Sequence, residues 1–184
     1  MAITIAPFAR KRASSFACNL AFTLSIFVFT DAFADEEYTM KYEKLWNWVS
    51  QLEQASTQGV EAVRAMVPVH LRVQSRNTRR TFYQSDAHFQ LDGAVTVTEV
   101  FVRGATDHPE ERQMITVELE GCVQRDEVDG RFPGMELVQV PPPGAENAQW
   151  YFGLPREDGR GLYFGFLTRS PTECLRRIII REAY

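Results

Sequence analysis

Residues 95–103 read VTVTEVFVR. Valine occupies 95, 97, 100 and 102, with threonine at 96 and 98. β-Branched side chains in near-alternation fit a pleated strand with one buried face. Asp92-Gly93, just upstream, is a two-residue hairpin signal, so the strand over 94–103 is expected to fold back on a strand over 87–91.

The same period of two runs in both directions. Upstream, Thr81–Gln84 is a strand, with a break or bulge at Ser85-Asp86 before 87–91. Val69, Leu71 and Val73 alternate with His70, Arg72 and Gln74, and Asn77 lies in a polar turn. Downstream, a polar loop over 104–112 leads to a strand over 114–123, with Ile115, Val117 and Leu119 on one face and Cys122 on the other. The charged stretch 124–134 has room for a short helix and turns at Phe132-Pro133-Gly134. Met135–Val140 is a strand, followed by the stiff Pro141-Pro142-Pro143-Gly144. Residues 149–153 and 162–168 flank a hairpin turn at Pro155–Gly159. Residues 175–182 form the last strand. Its triplet Ile178-Ile179-Ile180 predicts cover on both faces and a central place in the sheet.

Before the strands the period is helical. Leu45, Trp48, Val49, Leu52, Val60, Val63, Met66 and Val67 line one face. Asp35-Glu36-Glu37 and a cap at Thr39 would suit its start, and Pro68 stops it. Ser56, Thr57 and Gly59 interrupt the pattern, which makes one kinked helix or two, with Ser56 or Thr57 capping the second. Trp46 and Trp48 are read as packing on the sheet; a partner-binding stripe is the alternative. The fold class is therefore α+β: an N-terminal amphipathic helix on a mainly antiparallel sheet of about seven strands.

The N-terminus has a different character. Arg10, Lys11 and Arg12 precede the apolar run Phe16–Phe29, which leads to Ala32-Phe33-Ala34. Positive, apolar, small-x-small is the order of a secretory signal peptide. The run is about 14 residues against the roughly 20 that span a bilayer. Cleavage between Ala34 and Asp35 is expected, with residues 1–34 removed and one mature domain over 35–184. An uncleaved anchor is the alternative. Cleavage leaves no stable membrane anchor and places the domain in the periplasm or outside the cell.

The whole chain has 20 basic and 24 acidic residues. Removing three basic and one acidic residue with the signal leaves a net charge of −6. Such a domain, without a basic run, is a poor match for nucleic acid or an anionic membrane. The one basic cluster, Arg76, Arg79 and Arg80, flanks a turn and is read as solvated. Of three cysteines Cys18 leaves with the signal. Cys122 and Cys174 remain, an even pair in an exported chain, which predicts a structural disulfide rather than a redox pair, since no C-x-x-C spacing occurs.

No motif names a chemistry. His70, His88 and His108 lack metal-ligand spacing, and there is no nucleophile elbow, phosphate loop or dinucleotide fingerprint. No cofactor and no metal is expected. Three acidic groups remain as candidate binding loops: Asp107, Glu110 and Glu111 with His108; Asp126, Glu127 and Asp129; Glu157 and Asp158. Carboxylates beside a histidine can do acid–base work, and acidic loops can steer a basic partner. Each is equally an ordinary solvated loop. Trp150, Tyr151, Phe152, Tyr163, Phe164 and Phe166 alternate across two strands; core packing is the expectation and a pocket the alternative.

The expected function is an exported, non-catalytic binding or inhibitory protein, of the kind that neutralises an envelope-acting protein. Its partner is another protein, and a basic one if the loops steer it. One alternative is a small-ligand carrier or enzyme with a cavity between helix and curved sheet, closed around a buried Glu99 or Glu118. Another is a subunit of an envelope assembly, for which an exposed apolar patch would speak.

Overall fold

The computed structural model describes residues 42–108, 111, 113–142, 148–167 and 173–182. The expected signal peptide, the Ala34–Asp35 junction, the acidic lead, Thr39 and Glu110 lie outside them. Three helices, α1 (Glu43–Ala55), α2 (Val60–Met66) and α3 (Arg125–Arg131), accompany nine strands. The strands are β1 (Leu71–Arg76), β2 (Arg80–Ser85), β3 (Phe89–Asp92), β4 (Val95–Ala105), β5 (Met114–Gly121), β6 (Glu136–Gln139), β7 (Gln149–Pro155), β8 (Arg160–Leu167) and β9 (Leu175–Glu182).

All the pairings are antiparallel and form one sheet, in the order β1-β2-β4-β5-β9-β8-β7-β6 with β3 paired to β4. The α+β class holds. Among the described residues there are nine strands against the expected seven or so; the expected interruption at Ser85-Asp86 is a full break between β2 and β3, and the expected strand over Met135–Val140 is the short edge strand β6. The β3–β4 hairpin turns at Gly93 and Ala94, one residue later than expected, because Asp92 pairs with Val95. The isoleucine triplet lies on β9, the central strand between β5 and β8. Ile178 and Ile180 are fully buried, whereas Ile179 on the other face is half-buried. The central position holds; complete cover on both faces does not.

The helical stretch is two helices rather than one kinked helix. Gly59, with φ of 99°, turns the chain between them; glycine reaches that conformation without a Cβ penalty. Ser56 and Thr57 do not cap α2. Their hydroxyls donate back to the carbonyls of Glu53 and Gln54 at 2.7 and 2.8 Å, closing the end of α1. The Trp48 indole N–H donates to the Met66 carbonyl at 2.8 Å, tying the two helices together.

Leu45, Val49, Leu52, Val60 and Val63 are buried against Val97, Val100, Val102, Ile115, Val117, Leu162, Phe164, Ile178 and Ile180. Trp46 meets Phe132 and Phe164 edge-on at 5.4 and 6.5 Å, and Val128 of α3 joins the same cluster. Among the described residues all three helices therefore pack on one face of the sheet. At full burial each large aliphatic or aromatic side chain contributes about 1.5–3 kcal/mol, so this single layer is the main source of stability. Cys122 and Cys174 form the expected disulfide where β5 ends and β9 begins.

Candidate functional site on the open face of the sheet

The face turned away from the helices carries the remaining polar and aromatic side chains of the strands. Following cross-strand partners from β4 to β7, one row reads Glu99, Glu118, Arg177, Gly165, Tyr151. Strands stand about 4.8 Å apart, so the row runs some 19 Å across five strands.

The members of the row hold one another. Gln84 of β2 donates to Glu99 at 2.5 Å. Arg177 donates through Nε to Glu118, and its Nη1 donates to the Tyr151 hydroxyl at 2.8 Å. Tyr151 in turn donates to the Gln149 side chain at 3.0 Å. Two carboxylates directly opposite on paired strands repel; here each has its own donor on the outer side. The Glu118 pKa still lies above the usual glutamate value. Burial raises it most, nearby Glu99 adds to the rise, and Arg177 opposes both. Burial works against the Arg177 charge, but Glu118 and Tyr151 together outweigh it and hold its pKa above the ordinary guanidinium value.

Glycine makes this arrangement possible. Gly165 faces Tyr151, and a Cβ on it would meet the Gln149 side-chain oxygen first and stand 2.9 Å from the Tyr151 ring. Gly153 and Gly161 leave the same space for Tyr163, whose ring would meet their Cβ positions at 3.0 and 2.7 Å. Two tyrosine rings therefore lie down on the sheet over glycines, while Phe152, Phe164 and Phe166 of the same strands face the core. The Arg181 guanidinium covers the Tyr163 ring at 4.6 Å from its centroid.

Two hollows open on this face. One, of about 260 Å³, is lined by Val138, Gln139, Tyr151, Tyr163, Arg177, Ile179 and Arg181. The other, wider and of about 530 Å³, lies where β2 gives way to β3 and includes Asp86, His88 and Glu99. Its carboxylates are engaged: Asp86 pairs with Arg72 at 2.9 Å and Glu99 with Gln84. Among the described residues no three His, Cys, Asp or Glu side chains are disposed to hold a metal ion.

The candidate loops fall elsewhere. Asp107, His108 and Glu111 are exposed in the β4–β5 loop, and Glu157 and Asp158 are exposed in the β7–β8 turn. The strand register puts these two segments at the same end of the sheet. Asp126, Glu127 and Asp129 sit on α3 at the opposite end, beside the disulfide. Several of these carboxylates serve local structure. Glu127 completes a capping box with Gln124, Asp129 pairs with Arg125 at 3.3 Å, and Asp158 pairs with Arg160 at 2.5 Å. Glu99 and Glu118 are on the open face, not between helix and sheet, so the carboxylate-lined cavity of the carrier reading does not form there.

Sequence reasoning missed Arg177, Arg181 and the role of the glycines. The available signal was Gly153, Gly161 and Gly165 in phase with Tyr151 and Tyr163 on paired strands. No protein-family model, no curated protein and no solved structure matches the chain.

Proposed function

We propose that the mature domain is an exported, non-catalytic binding protein, of the inhibitor or immunity type, that holds another protein against the open face of its sheet. The observation that carries this reading is the cross-strand row Gln84, Glu99, Glu118, Arg177, Tyr151, Gln149, whose side chains are fixed by one another on a face that no described helix covers. A binding surface works best when its side chains are ordered before the partner arrives. Half-buried Phe82 and Phe101, their rings 5.8 Å apart, and exposed Val138 add apolar area beside the row. The acidic β4–β5 loop and β7–β8 turn stand at one end of this face, where they would steer a basic partner.

Export is part of the proposal. A disulfide is consistent with an extracytoplasmic compartment, and no helix of the described residues is long and apolar enough to cross a membrane. Delivery to the periplasm rests on residues 1–34 alone.

The test is affinity capture with the mature chain from Asp35, using lysate and envelope fractions of its own source. The expected result is one stoichiometric protein whose enzymatic activity falls on binding. Absence of a protein partner, together with a small molecule co-purifying with the domain, would overturn the reading.

A second reading, membership of an envelope assembly, is favoured by edge strand β6. Leu137 and Val138 are 46 and 48% exposed there, and Val140 just beyond it is 56% exposed; an exposed apolar edge invites strand addition. Self-association of the pure domain, abolished by Leu137→Lys, would favour that reading.

A further inference from the structure

We propose that the hollow between β6 and β9 is the seat of a carboxylate carried on a compact apolar body. On the reading of the open face as a binding surface, this group is an acidic anchor side chain of the protein partner, and the inference rests on that reading.

The charge of the lining points to an anion. Arg177 and Arg181 both line the hollow, and no carboxylate does. They sit four residues apart on β9, on the same face, because side chains alternate along a strand. Arg177 is held in place by Glu118 and Tyr151 through Nε and Nη1. Its Nη2 has no hydrogen-bond partner among the described residues, and a guanidinium carries five N–H donors in a fixed fork. An orienting carboxylate on one edge and open donors on the other are what a second carboxylate needs.

Besides the arginines and Gln139, the lining is Ile179, Val138 and the two tyrosine rings. A bare inorganic anion leaves this surface unused. The volume sets the size. About 260 Å³ is below the roughly 300–1,000 Å³ of sites for drug-sized ligands, so it suits one side chain or a small acid rather than a nucleotide cofactor. Val138 and Gln139 belong to an edge strand, so the hollow is open at the side from which an extended partner segment can approach.

The experiment is a titration of the mature protein, followed by NMR at the Ile179 and Val138 methyls, with sodium benzoate, benzylammonium chloride and inorganic phosphate as probes. Benzoate is expected to shift both methyls with a Kd on the order of 10 mM or tighter. Benzylammonium should leave them unmoved, and phosphate should bind about tenfold more weakly than benzoate. Arg181→Gln is expected to weaken benzoate about tenfold. Val138→Asp, at a half-exposed edge position and first shown to be folded, should weaken it as well. Equal shifts from benzoate and benzylammonium, or benzoate affinity unchanged in both variants, would overturn the inference. The two readings fail separately. If benzoate does not bind but Val138→Asp still abolishes partner capture, only the carboxylate seat falls. If benzoate binds and no captured protein depends on this face, the seat stands and the protein-binding function falls.

Discussion

Gly165 occupies the one place in the cross-strand row where any side chain would collide with Tyr151. Gly165→Ala should push Tyr151 off the sheet, break its bond from Arg177, and cost about 1–3 kcal/mol by chemical denaturation, the usual range for overpacking. Adding Tyr151→Ala should remove the clash with the ring and leave only the flexible Gln149 amide, which can swing aside, so the pair is expected to be non-additive by about 0.5–3 kcal/mol. Additive losses would mean that the ring does not rest on Gly165. Glu118 offers a second test. Its folded pKa is raised, chiefly by burial, so the folded state holds its proton more tightly than the unfolded chain does. Its contribution to stability therefore falls as pH rises from the ordinary glutamate value to the raised folded one. A carboxyl-carbon titration should find Glu118 above the ordinary glutamate value, higher still in Arg177→Gln, and lower in Glu99→Gln. A midpoint unmoved by either variant would refute the row. The partition of Tyr and Phe between the two faces follows strand alternation, which was readable in the sequence. That the outward-facing set lies over glycines was not, because cross-strand register is a property of the fold.

The elements themselves were largely legible, since hydrophobic period separates strand from helix. The failures have local causes. Val73 alternates in phase with buried Leu71, yet β1 is an edge strand with an irregular register after Val73, and Val73 is 56% exposed. The sequence offers Ser56 or Thr57 as cap of the helix that follows, but their short hydroxyls reach the preceding turn first. One link between elements had no sequence signal. Glu53 of α1 accepts from Arg156 Nε and Nη2 at 2.9 and 3.1 Å, and its carbonyl accepts from Arg160 at 2.6 Å. This clamp fixes the helix to the β7–β8 turn. Glu53→Gln should cost about 1–2 kcal/mol, less than a fully buried pair would, because the Arg156 side chain is 35% exposed. The disulfide, by contrast, was readable in the sequence once Cys18 is assigned to the expected signal segment and Cys122 and Cys174 remain as a pair. It closes a separation of 52 residues, so replacing Cys122 and Cys174 by alanine should destabilise by up to about 4 kcal/mol. A denaturation midpoint insensitive to reductant would contradict that role.

The molecule is two antiparallel runs joined through one strand. β1 to β5 form the first run, β6 to β8 the second, and β9 is inserted between β5 and β8. The chain must therefore complete both halves before its last strand joins them. Truncation before Leu175 is expected to abolish cooperative unfolding, whereas truncation after Glu182 should leave it intact; circular dichroism against temperature distinguishes the two. With all three described helices on one side, the other side of the sheet is covered by none of them. That asymmetry is the basis of the functional proposal. The most direct measurement is affinity capture by the mature chain in three forms: unaltered, with Val138→Asp and Arg181→Glu on the open face, and with Asp107→Lys and Glu111→Lys in the acidic loop, each first shown to be folded. The account predicts that the unaltered chain and the loop variant retain the same stoichiometric partner and the open-face variant loses it. A partner retained by the open-face variant and lost by the loop variant would contradict it.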